Sequence, residues 1–144
     1  MSKELSIKTI KKELMDALLN DMDILNYVAK RYVDDGLKIS QIYNTAIFDY
    51  DTFNVGCDYI TVEVGERDNF PINNKTYKVA IKMGLSEEEF LTELSSLVTN
   101  IVNKLYPNRK RFCNMPFYKE KEAGCATYEG LNRVITFSIE SQDE

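Results

Sequence analysis

The sequence predicts an α+β domain, a mainly antiparallel sheet with an N-terminal helix and one long amphipathic helix packed on one face. Three observations carry this expectation. A stripe of apolar residues at helical spacing opens the chain, two segments of strict alternation follow near its middle, and a longer helical stripe precedes a last alternating segment. The order helix, strand, strand, helix, strand or hairpin favours antiparallel pairing with the helices gathered on one side.

The first helix is expected over residues 3–19, where Ile7, Ile10, Leu14, Ala17 and Leu18 recur at three and four residue intervals. After Asn20, Asp21 and Asp23 offer caps for a second short helix that carries Ile24, Leu25, Val28 and Tyr32 and ends by Gly36. The alternative is one helix broken at the Asn-Asp step. Residues 37–56 mix β-formers with turn formers and read as an irregular connection with a short strand at 46–48. Residues 58–64 alternate, with Ile60, Val62 and Val64 on one face and Tyr59, Thr61 and Glu63 on the other. Residues 76–82 do the same, with Tyr77, Val79 and Ile81 inward. The connection GERDNFPINNK is too long for a two-residue turn and is expected to protrude as a polar loop.

Ser86 followed by Glu87, Glu88 and Glu89 reads as a capping box for the long helix, because a serine hydroxyl and a glutamate three residues on satisfy exposed backbone N–H groups. Phe90, Leu91, Leu94, Leu97, Val98, Ile101, Val102 and Leu105 then form its core stripe, which stops before Pro107. Residues 107–124 read as a basic loop. A turn at Glu129-Gly130 leads to a strand over 133–140 with Ile135, Phe137 and Ile139 inward, and 125–128 is its expected hairpin partner.

The chain has 144 residues, enough for one hydrophobic core, so a single domain over 1–144 is expected. No run of about 18 apolar residues is present, and the first residues alternate charge with apolar groups, so neither a membrane span nor a secretory leader is expected. Cys57, Cys113 and Cys125 are odd in number and unrelated in spacing, which fits reduced thiols in a cytosol. A net charge of −5 and a pI near 4.9 weigh against a nucleic-acid binder held by phosphate contacts over its whole surface. The charge is polarised, however. Lys104, Arg109, Lys110, Arg111, Lys119 and Lys121 face Glu120 alone, whereas Asp49, Asp51, Asp58, Glu63, Glu66 and Asp68 face only Arg67. Such a molecule can pair with copies of itself head to tail, the arrangement that closes into rings.

No enzyme is expected. Histidine is absent, which removes the commonest general base and metal ligand and excludes Ser-His-Asp and Cys-His arrangements within the chain. The cysteines lack zinc-site spacing, and the pairs Asp21/Asp23 and Asp49/Asp51 lack the remaining ligands and glycine of a calcium loop. The glycines form neither a dinucleotide fingerprint nor a P-loop, so no cofactor is expected. Asn74-Lys75-Thr76 matches a glycosylation pattern that needs a secretory route. The run from Asn108 to Phe112 is the one stretch with a plausible ligand. Cations beside an aromatic hold phosphates and stack on bases, or meet an acidic protein; the plain reading is favourable charge after a helix C-terminus.

Three features together resemble the tail terminator and related head-tail joining proteins of long-tailed bacteriophages and phage-derived particles. They are the N-terminal amphipathic helix; the segments DYITVEV and TYKVAIKM, joined by a long loop and followed by LSEEEFLTELSSLVTNIVNKLYP; and the closing YEGLNRVITFSIE. Residues 37–56 depart from the likeness. The resemblance implies a ring, usually hexameric, at the end of the tail tube that stops tube polymerisation and docks the head connector. Its partners would be copies of itself, the tube protein and the neck, with DNA only as cargo. It would be found in the host cytoplasm during assembly and then in the particle. The surfaces available are the polar loop 66–75, with Glu66, Arg67, Asp68 and Phe70, and the basic loop 109–121, with Arg109, Lys110, Arg111, Phe112, Phe117 and Tyr118. The alternatives are a neck head-closure protein and a small cytosolic regulator that binds nucleic acid or protein through the basic loop.

Overall fold

A computed structural model describes residues 5–28, 47–48, 58–120 and 130–141 of the chain. Its first helix, α1, spans Ile7–Leu19 and is started by a capping box that the residue pattern had not singled out. The Ser6 hydroxyl accepts from the Thr9 N–H at 3.1 Å, and the Ser6 N–H donates to the Thr9 hydroxyl at 2.9 Å. Ile10, Leu14 and Leu18 are buried as expected, together with Met15 and Leu19, whereas Ile7 and Ala17 are half-buried. Asn20 ends the helix, and its amide donates to the Asp16 carbonyl at 2.7 Å. A separate helix α2, Met22–Val28, follows, with the Asp21 carboxylate accepting the Ile24 N–H at 3.1 Å. Of the two expected caps, Asp21 takes the role and Asp23 lies in the first turn. Tyr32 and Gly36 lie outside the described residues.

Strand β1 is Ile47–Phe48, β2 is Tyr59–Asp68, β3 is Lys75–Gly84, β4 is Lys110–Lys119 and β5 is Gly130–Glu140. The sheet order is β1-β2-β3-β5-β4, antiparallel except for the short parallel pair β1/β2. Helix α3, Leu91–Leu105, lies between β3 and β4 in sequence. The fold class is therefore the expected one.

Three local expectations are corrected. β2 and β3 continue past the alternating apolar residues, so the loop shrinks to 69–74, and Glu66, Arg67 and Asp68 belong to a strand. Cross-strand pairing extends a strand beyond its buried part, and the exposed polar end shows no apolar alternation. The Ser86 capping box does not form. A 3-10 turn, Glu88–Phe90, precedes α3, Phe90 is the N-cap and makes no side-chain cap bond. Ser86 instead donates its N–H and hydroxyl to Asp58 Oδ1, at 2.8 and 3.2 Å, and Glu88 Oε1 accepts the Leu131 N–H at 3.0 Å. Asp58, just before β2, and Glu88 of the turn thus tie the helix entry to β2 and β5. Most of the basic loop is strand β4, which supplies the hairpin partner of β5; residues 125–128 lie outside the described residues.

The core lies between the sheet and the helices. Ile60, Val62, Tyr77, Val79, Ile81, Met83, Ile135 and Phe137 meet Leu14, Leu18, Ile24, Leu25, Leu94, Val98 and Val102. Each fully buried aliphatic side chain contributes roughly 1.5–3 kcal/mol. Two tyrosines fasten the layers. The Tyr77 hydroxyl donates to the Leu5 carbonyl at 2.9 Å, and that of Tyr106 to Glu13 Oε2 at 3.1 Å. The Tyr106 ring packs on Phe137 at 5.8 Å.

Candidate functional site

The register rows across the sheet locate the side chains of its strands. On the face away from the helices, Tyr59, Gly84, Asn132 and Phe117 are successive cross-strand partners. Gly84 has no Cβ because a Cβ there would sit 2.2 Å from Tyr59 Cε1 and 2.4 Å from Asn132 Oδ1. The tyrosine ring crosses the glycine and its hydroxyl donates to Asn132 Oδ1 at 2.7 Å, closing a buried polar tie between β2 and β5. The next row, Thr61, Lys82, Val134 and Met115, opens to solvent at β4, where Met115 is 48% exposed.

At the opposite end of the strands the tip of the β2–β3 hairpin presents Phe70, 92% exposed, and Ile72. The tip is braced. Asn69 Nδ2 donates to Asn74 Oδ1 at 2.9 Å and to the Thr76 hydroxyl at 2.8 Å, and the Ile72 N–H donates to the Asn69 carbonyl at 2.8 Å. Phe70 is thus held out by hydrogen bonds beneath it.

Glu66, Asp68 and Phe70 from this hairpin, with Arg109 and Lys110 from the α3–β4 turn, line one open cleft of about 1600 Å³. Its charges are largely engaged. Lys75 Nζ stands 3.8 Å from Glu66 and 4.0 Å from Asp68, and Lys110 Nζ stands 3.1 Å from Glu140. Arg109 donates to the Tyr106 carbonyl at 3.3 Å and lies 4.8 Å above the Phe112 ring, a cation–π contact. Acidic and basic residues distant in sequence thus line the same cleft.

The remaining expected residues stand elsewhere. Arg67 falls on the other face of β2 from Glu66 and Asp68. Arg111 is exposed at a bulge in β4 with φ of 56°, and Phe112 beside it is 36% exposed. Tyr118, 61% exposed, sits opposite the exposed Leu131. Phe117, expected to be an exposed aromatic, is half-buried beside Asn132, because its place on the strand turns it to the tied row. Ile72, Met115 and Leu131 were missed. The period-two pattern Cys113, Met115, Phe117 was legible in the sequence, but Pro116 and the flanking charges masked it.

Among the described residues no group of three His, Cys, Asp or Glu can hold a metal, and no helix is long and apolar enough to cross a membrane. The phenol of Tyr106 is pushed above its ordinary range by burial and by the Glu13 carboxylate. Tyr27 is raised by its hydrogen bond to Glu93, and Lys12 by Asp16. Each of these shifts favours the form already present at neutral pH, the opposite of tuning for proton transfer. No protein-family model matches the chain, and no curated protein matches it significantly in sequence.

Proposed function

We propose that the chain is a structural assembly protein of a phage tail or phage-derived particle, a tail terminator whose copies form a ring at the end of the tail tube, stop its growth and dock the head connector. The observation that carries this reading is where the exposed apolar groups stand. Phe70 and Ile72 occupy a braced hairpin tip, while Phe112, Met115 and Tyr118, with Leu131 beside them, lie along the edge strand β4. Exposed apolar groups that stand on a hairpin tip and on both faces of an edge strand fit contacts with other proteins. A ring former needs two different surfaces on each copy, one complementary to the other. The element order adds the resemblance to head-tail joining proteins, and the role requires neither catalysis nor a cofactor.

A nucleic-acid role for the basic segment draws less support. Arg109 is engaged by Tyr106 and Phe112, and Lys110 by Glu140, so phosphate binding would displace contacts already made. DNA then passes only as cargo, and the protein acts in the host cytoplasm before entering the particle. The test is the oligomeric state of the purified protein by sedimentation velocity, together with electron microscopy of tube protein polymerised in its presence. A discrete ring and tubes of limited length are expected. A strict monomer at all concentrations that leaves tube length unchanged would sink the reading.

A further inference from the structure

We propose that Met115 is a redox-sensitive modification site: its thioether takes an oxygen atom from a peroxide, and the resulting sulfoxide weakens the contacts through which copies meet at β4. The weakening rests on the ring reading; the oxidation does not.

The methionines among the described residues fall into two classes. Met15 and Met83 are core side chains, 2% and 0% exposed, whereas Met22 and Met115 are 53% and 48% exposed. Oxidation requires the oxidant to touch the sulfur, so the buried pair reacts only when the fold opens around it. Hydrogen peroxide gives one oxygen atom to the sulfur, its O–O bond breaks and water leaves. The sulfur loses two electrons and the peroxide gains them.

The consequences differ between the two exposed sites. Met22 opens α2 beside the capping carboxylate of Asp21, where a further polar atom joins surface that is already charged. Met115 stands on the face of β4 away from the helices, between Cys113 and Phe117, with Val134 as its cross-strand partner. Val134 offers only aliphatic side-chain atoms, and the ammonium of Lys82, next in the row, stands 3.9 Å from Glu63. Methionine is enriched at protein contacts because its flexible, polarisable chain fits irregular apolar surfaces. Sulfoxide turns a weak acceptor into a strong one, which loses affinity where a partner covers it without supplying a donor. Reduction returns the thioether, so the change is reversible. Cys113, half-buried on the same face, is a second target for peroxide, and the two sulfurs must be told apart.

The experiment maps oxidation first and assembly second. Protein at a dilution where sedimentation velocity shows single copies is treated with hydrogen peroxide, digested and read by mass spectrometry. Met22 and Met115 are expected to take up oxygen at least about tenfold faster than Met15 and Met83. Reaction of Met115 no faster than that of Met83 overturns the site. Peroxide is then removed, folding is checked by circular dichroism, and each protein's ring formation is compared before and after treatment. Oxidised wild type, and an oxidised variant carrying Met22→Leu and Cys113→Ser, are expected to assemble about tenfold more weakly, with recovery after methionine sulfoxide reductases. Met115→Leu should lose nothing on oxidation, whatever the strength of its own ring. A loss in Met115→Leu equal to that of wild type, or undiminished rings from protein oxidised at Met115, overturns the effect on contacts and leaves the ring reading standing. A wild type that stays monomeric even with tube protein overturns that effect together with the ring reading, and the mass map still decides the site.

Discussion

On the helix side of the sheet, Val62, Ile81 and Ile135 form one row and are wholly buried beneath α1 and α3. The adjoining row on the other face, Thr61, Lys82, Val134 and Met115, grades from a buried threonine to a half-exposed methionine. A second layer supplies burial on the first face, and aliphatic side chains of suitable volume suffice for it. On the open face the sheet must bury its own polar end with Tyr59, Gly84 and Asn132, a fit that depends on individual atoms. One face specifies the fold, and the other combines a local lock with room for a partner.

The largest effect should come from breaking the layered face. Ile81 is 0% exposed, and replacing it by Ala is expected to cost about 2–5 kcal/mol through lost burial and the cavity left behind. Urea unfolding followed by circular dichroism measures it; a cost below about 1 kcal/mol would mean that the helices do not close over that row.

On the open face the corresponding test is Gly84→Ala. The added Cβ meets the Tyr59 ring and Asn132 Oδ1 at distances that force one of them to move. The expected cost is about 1–3 kcal/mol. The sharper measurement is a double-mutant cycle with Tyr59→Ala, because the alanine at 84 should be far better tolerated once the ring is gone. Additive losses would show that the ring and the glycine are energetically independent.

Between the layers, Tyr106 links α3 to Glu13 of α1 and to Phe137 of β5. Its phenol titrates higher in the fold than the ordinary 10.0, since burial and the Glu13 charge both oppose the phenolate. The neutral form is favoured by folding, so this contribution is fully present below pH about 10 and falls away as pH rises above it. The stability difference between wild type and Tyr106→Phe is therefore expected to be constant near neutrality and to shrink in alkaline solution. A difference independent of pH across that window would mean that neither the burial of the phenol nor its contact with Glu13 is maintained in solution.

The two faces also differ in how far they could be read from residues alone. Alternation at Ile60, Val62, Val79, Ile81, Ile135 and Phe137 and the stripe of α3 located the layered face, because burial against a second layer imposes a period. The Tyr59–Gly84–Asn132 tie spans three strands, and nothing in the local sequence of any one of them announces it. Strand β4 was hidden for a related reason. An edge strand is covered on neither face over much of its length, so Lys110, Arg111, Asn114 and Pro116 are tolerated and the strand resembles a loop. The candidate residues were legible as charge and aromatic content. Their grouping into a cleft lined by Glu66, Asp68, Phe70, Arg109 and Lys110 required the sheet register.

The smallest effect concerns the bulge that opens β4. Arg111 holds φ of 56°, in the left-handed region where a Cβ is unfavourable. Glycine adopts this conformation without that strain but loses more chain entropy on folding, so Arg111→Gly is expected to change monomer stability by no more than about 1 kcal/mol in either direction. Urea unfolding near the wild-type midpoint is the expected outcome. A large loss of stability would mean that the Arg111 side chain, and not only the backbone of the bulge, supports the β4–β5 hairpin.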